Sequence, residues 1–214
     1  MAKLQDDVFR ILRTRNTKEI HKVTRAAIAH KDILAEVLDG LTSTDDFYRY
    51  NCFRTVLEVT EQKPEFVYPA WDRLSKMLES ENSYHQNIAV CLLANLTAVD
   101  KANKFEKIFD DYFDLLGSEG MILARYVAQG AGKIARNKPA LQATITKKLL
   151  AVEHSGQKQK ELIKADVIYS FDQYFEEAKD KEKILAFVTK QINSSSPKTQ
   201  KAAKEFLKKW RIAV

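Results

Sequence analysis

Glycine and proline are scarce, with six and four respectively in 214 residues, too few for a chain built from tight β-turns. Uninterrupted apolar runs are missing too: nothing approaches the roughly 18 consecutive apolar residues of a membrane span. Asp6 and Asp7 fall where a secretory signal would place its apolar core, so a cytoplasmic chain without a membrane partner is expected. Cysteine is limited to Cys52 and Cys91. Both sit inside apolar helical runs and are expected as buried free thiols rather than a disulfide or metal pair. What is abundant is Lys, Glu, Ala and Leu, the residues that long helices favour. An all-α fold is therefore expected, with 45% hydrophobic residues providing a sizeable core.

The chain repeats itself at nearly forty residues. "YNCFRTVLEVTEQKP" (50–64), "HQNIAVCLLANLTAVDK" (85–101) and "LARYVAQGAGKIARNKP" (123–139) align closely, and "LIKADVIYSFDQYFEEAKD" (162–180) and "KTQKAAKEFLKKWRIAV" (198–214) follow loosely. Anchors at Asn51, Asn87, Arg125, Lys164 and Lys201 are 36, 38, 39 and 37 residues apart. Each segment follows another amphipathic stretch across a polar turn: "TSTDD" (42–46), "ESENS" (79–83), "GSEG" (117–120), "EHSGQ" (153–157) and "NSSSPK" (193–198). Ser, Asp and Asn in these turns suit helix N-caps, since their oxygens accept from the first free amides. The unit reads as helix, turn, helix.

The first helix of the second unit, over 64–80, places Phe66, Val67, Trp71, Leu74 and Leu78 on one stripe, with Pro69 tolerable in a first turn. That of the third places Phe105, Ile108, Phe109, Phe113 and Leu116 likewise, and Gly117 is expected to end it as a left-handed cap. Trp71 and Trp210 are expected in the core. One apolar stripe per helix cannot be satisfied alone, so successive pairs must stack.

In these second helices the chain resembles the HEAT-repeat family of helical-pair solenoids. That family's pattern has an early branched or basic residue, alternating small and aliphatic residues, a small residue near the middle and a closing proline. Residues 124–139 supply Arg125, Val127, Ala128, Ala131, Gly132, Ile134 and Pro139 in that order. The resemblance covers roughly 31–214 and implies an α-α superhelix, a right-handed stack of about five helical pairs forming a single domain over 1–214. The pairs fall at 31–64, 65–102, 103–139, 140–180 and 181–214, with capping helices over 1–30. It also implies that the second helices line an inner, concave surface.

"GAGK" (130–133) invites a nucleotide-loop reading, but GxxxxGK would need glycine where Val127 stands and a hydroxyl where Ile134 stands. Gly130 and Gly132 instead cost about 1 kcal/mol each of helix propensity against Ala, which predicts a neighbouring helix packed against the backbone. His21, His30, His85 and His154 lie far apart without HxxxH, HExxH or CxxC, so no metal is expected. The acid pairs Asp6-Asp7, Asp45-Asp46 and Asp110-Asp111 with Asp114 read as caps or solvated faces rather than catalytic dyads, and no GxSxG occurs. Neither catalytic residues nor a cofactor are expected.

The reading is a non-enzymatic scaffold or adaptor that binds a partner protein or peptide on the polar face of the second helices. The residues expected on that face are Asn51, Arg54 and Glu58; Tyr84, Gln86 and Asn95; Arg125, Gln129, Lys133 and Arg136; and Lys160, Lys164 and Gln173. Charge is uneven. Residues 1–180 carry 26 basic and 27 acidic side chains, residues 181–214 nine and two. Lys198, Lys201, Lys204, Lys208, Lys209 and Arg211 crowd the last helix, as a solubilising cap or as a patch for phosphate or an acidic partner. Nucleic-acid binding, including that of HEAT-like DNA glycosylases, is the first alternative. A lyase or accessory-subunit role, as for HEAT-like proteins acting on bilins, is the second.

Overall fold

The computed structural model describes residues 2–15, 17–156 and 158–212, with only the backbone of 2–5. Gln157 of the fourth turn and residues 213 and 214 of the fifth repeat lie outside the described residues. Helices account for nearly all the regular structure, in the order α1 (Ala2–Leu12), α2 (Ile20–Ala29), α3 (Lys31–Asp39), α4 (Asp46–Gln62), α5 (Pro64–Val67), α6 (Trp71–Lys76) and α7 (Ser83–Leu96). Then follow α8 (Lys104–Lys107), α9 (Phe109–Asp114), α10 (Met121–Asn137), α11 (Gln142–Leu150), α12 (Lys160–Asp172), α13 (Lys181–Lys190) and α14 (Pro197–Lys209). No strand occurs among the described residues. The chain divides into two compact units between Lys101 and Ala102.

Every repeat uses the same local grammar. The first helix ends in a 3-10 turn, at Gly40–Thr42, Met77–Glu79, Leu115–Gly117, Ala151–His154 and Gln191–Asn193. Polar residues follow, and the second helix starts. The Asp45 carboxylate accepts from the amides of Phe47 and Tyr48 at 3.0 Å each, Asn82 Oδ1 from Tyr84 at 2.9 Å, and Ser196 Oγ from Thr199 at 3.4 Å, as the turn composition predicts. Gly120 and Gln159 start α10 and α12 without a side-chain cap.

Three first-helix expectations are corrected. The stretch over 64–80 is not one helix: Pro69, lacking an amide donor, sits in a 3-10 turn (Tyr68–Ala70) that separates α5 from α6. Phe66 is exposed rather than in the stripe, while Val67, Trp71, Leu74 and Leu78 are buried. Gly117 is not left-handed, because the 3-10 turn closes the helix without a positive φ; among the described residues only Asn103 and Arg211 adopt one. In the third repeat Phe105, Phe109 and Phe113 are joined in the core by Tyr112, with Phe105 edge-on to the other three rings.

Within the first unit α4 packs between α2 and α7; within the second, α12 packs between α10 and α14. The α10–α12 approach is close enough to involve backbone. Gly132 N donates to Ser170 Oγ at 3.1 Å, and that hydroxyl in turn donates to the Ala128 carbonyl. A Cβ on Gly132 would lie 2.8 Å from both the Ser170 carbonyl oxygen and the Gln173 amide group. The glycine therefore answers the packing demand that its helix-propensity cost predicts.

Gly132→Ala should consequently lower stability by about 1–3 kcal/mol despite its better helix propensity, because a main-chain atom must yield. Gly117→Ala, with nothing within 4 Å of the new methyl, should be neutral or stabilising. Urea unfolding midpoints of the two variants check the contrast.

Candidate partner-binding surfaces

A second helix with neighbours on both sides keeps only a narrow solvent strip, and this decides which polar side chains face outward. Asn51, Asn95 and Lys164, expected on the partner-facing surface, are buried. Asn51 Nδ2 donates to the carbonyls of Leu12 at 2.9 Å and Thr14 at 2.8 Å, and so ties the turn after α1 to α4. Asn95 Nδ2 donates to Thr60 Oγ1 at 2.9 Å, linking α7 to α4. Lys164 Nζ lies 2.6 Å from Glu161 and 3.3 Å from Glu153. In each case unpaired polar groups between stacked helices would be costly, and these side chains satisfy them.

Other expected contact residues hold turns. Gln86 Nε2 donates to the Leu78 carbonyl at 3.1 Å, and Lys160 Nζ to the carbonyls of Glu153 and Ser155. Arg49 and Gln200, four residues after their caps like Gln86, do the same to Ser43 at 2.7 Å and Ser194 at 2.7 Å. A long donor at the fourth residue after an N-cap was a readable signal in three of the repeats. Glu58 accepts from Thr24 Oγ1 at 2.7 Å.

In the second unit the buried carboxylate of Asp166 is a hub. It accepts from Arg125 Nε at 2.6 Å, Gln129 Nε2 at 3.1 Å and Lys198 Nζ at 3.0 Å, binding α10, α12 and α14 together. The hydrogen bond to Asp166 raises the Arg125 pKa further against the smaller opposing effect of burial. Asp172 similarly accepts from Lys209 and from Trp210 Nε1, each at 2.8 Å, so half-buried Trp210 closes the last layer rather than lying fully in the core. Lys198 and Lys209 are thus partly neutralised. Lys201, Lys204 and Lys208 form an outward stripe at three- and four-residue spacing, with a weak contact from Lys201 to Glu205 at 3.8 Å. Arg211, Lys133, Arg136 and Gln129 are also exposed, and Gln173 is half-buried.

The first unit exposes Tyr84, expected on the partner-facing surface, together with Phe47 and Tyr50, which sequence reasoning assigned to no surface. Tyr84 is 56% exposed, Tyr50 48% and Phe47 45%. Three guanidinium groups lie over rings there: Arg15 over Phe47 at 4.7 Å, Arg49 over Tyr84 at 4.5 Å and Arg13 over Tyr48 at 5.7 Å. Arg54 reaches the Tyr50 hydroxyl at 3.4 Å. Of the cysteines, Cys52 is buried and its thiol is pushed up to about 12 by burial, whereas Cys91 is half-buried, contrary to expectation.

No protein-family profile matches the chain, and no curated protein does. Solved structures do. A designed armadillo repeat protein, YIII(Dq)4CqI, is 12% identical, with a TM-score of 0.57 over 94% of this chain and 98% of that one. An engineered protein is 14% identical, with a TM-score of 0.56 over 97% and 98%. The chain has the all-α repeat fold of the α-solenoids, with which the HEAT-like resemblance is consistent. No helix among the described residues is long and apolar enough to cross a membrane.

Burial alone would push the Glu153 and Glu161 carboxyls up, but hydrogen bonds and charge outweigh it: from Lys190 and Lys164 for Glu153, from Lys164 and Ser194 for Glu161. Both are held below the ordinary 4.5. Their stabilisation is complete above the unfolded-state value and is lost as pH falls through the depressed folded values. Lys164→Met should cost about 2 kcal/mol, and it should flatten the loss of stability below about pH 4.5. Chemical denaturation between pH 7 and 3 measures both effects.

Proposed function

We propose that the chain is a non-enzymatic interaction scaffold that works in the cytoplasm and binds a protein or peptide segment on the solvent strips of its second helices. The observation that carries this is the exposure of Tyr50 and Tyr84 on α4 and α7, adjoining helices of the first unit. Tyrosine supplies a large, amphipathic contact area with few rotamers to freeze, which is why it is enriched among residues that dominate interfaces. Arg54 at Tyr50 and Arg49 over Tyr84 orient both rings before any partner arrives, reducing the ordering cost of association. Repeat packing meanwhile consumes Asn51, Asn95, Lys164 and Asp166, leaving a rigid platform.

A panel of immobilised peptides probed with the full chain tests this reading. Peptides that bind the wild type should bind the Tyr50→Ala/Tyr84→Ala double variant about ten- to a hundredfold more weakly, with the circular dichroism unchanged. Equal binding by the variant would move the site elsewhere. A second reading, binding of nucleic-acid phosphates, draws on the outward stripe of Lys201, Lys204 and Lys208. It predicts a gel shift at low salt that disappears as salt rises and when the three lysines become glutamate.

A further inference from the structure

We infer that the arginine-bearing edge of the first unit selects carboxylate-rich segments of the partner protein, a refinement that rests on the scaffold reading above. Arg13 and Arg15 follow α1, in a turn that Asn51 pins to α4 through the carbonyls of Leu12 and Thr14. Both side chains are exposed, and each guanidinium lies over a ring in the first turn of α4: Arg13 over Tyr48, Arg15 over Phe47. A ring attracts the guanidinium charge without accepting a carboxylate-type hydrogen bond, so the N–H groups remain able to fork onto a carboxylate.

Neighbouring acids do not satisfy these groups. The Asp45 carboxylate caps α4, Asp46 pairs with Arg49, and Asp7 pairs with Arg10. Among the described residues no carboxylate pairs with Arg13 or Arg15. The edge therefore presents two pre-oriented cations beside the exposed Phe47 ring, an arrangement that complements acidic residues next to an apolar one. Single-stranded nucleic acid fits less well, because guanidinium groups already cover a face of the Phe47 and Tyr84 rings on which bases would stack.

Selection of random peptides displayed on phage, using the full chain as bait, tests the inference. Wild-type selections should be enriched in Asp and Glu beside an apolar residue. Chosen peptides should bind at least about tenfold more weakly to the Arg13→Gln/Arg15→Gln variant, and more weakly as salt rises. The Arg13→Lys/Arg15→Lys variant should recover only part of the loss, since lysine keeps the charge without the fork. Peptides without acidic enrichment, or bound equally by the glutamine variant, overturn the inference while leaving the scaffold reading standing. Failure to select any peptide contradicts both. An oligothymidylate bound more tightly than the selected peptides, and lost in the glutamine variant, overturns it in favour of nucleic acid.

Discussion

Asn51 makes two hydrogen bonds that the first unit depends on. Its amide group sits in a helix whose flanks are covered by α2 and α7, and it donates to main-chain carbonyls of the turn after α1, nearly one repeat earlier. Stacked helical pairs bury the ends and turns of their predecessors, and buried carbonyls and amides need partners. Ser170 meets the same demand at Ala128 and Gly132 and Thr199 at the Glu161 carbonyl, while Asn95 ties α7 to α4 through the Thr60 hydroxyl. Polar side chains of the second helices are therefore largely committed to the repeat behind them.

That commitment defines the surface that remains. In the second unit Asp166 joins three helices and engages Arg125, Gln129 and Lys198, while Lys201, Lys204 and Lys208 on the outer side of α14 and Lys133 and Arg136 on α10 face solvent. Among the described residues of the first unit no comparable hub gathers the arginines. Arg13 and Arg15 rest on aromatic rings instead and stay exposed, while Arg49 is buried under the exposed Tyr84 ring. The two units thus share one packing scheme and offer chemically different faces, one aromatic and forked, the other a row of ammonium groups.

Much of this was legible in the sequence. The repeat period, the paired helices, the caps at Asp45, Asn82 and Ser196, and the close approach at Gly132 follow from local chemistry that tertiary structure leaves intact. Asn51, Asn95 and Lys164 were misplaced because a helical wheel assumes one buried face, whereas α4, α7 and α12 are covered over most of their circumference. Phe47 and Tyr50 sit in the first turns of α4, where an aromatic reads equally well as core or surface. Arg13 and Arg15 lie in a connecting turn without periodicity, and only the fold shows that they meet Tyr48 and Phe47. The expected helix over 64–80 failed at Pro69, whose missing donor outweighed a continuous apolar stripe.

Amide hydrogen exchange in an Asn51→Ala variant tests the central claim most directly, because it separates a residue that holds the turn from one that touches the partner. With the clamp removed, amides of the turn between α1 and α2 should exchange faster while the helices of the second unit keep their protection, and peptide affinity should fall with the loosened arginines. Unchanged exchange in that turn combined with lost affinity would contradict the account, and would make Asn51 itself a contact residue.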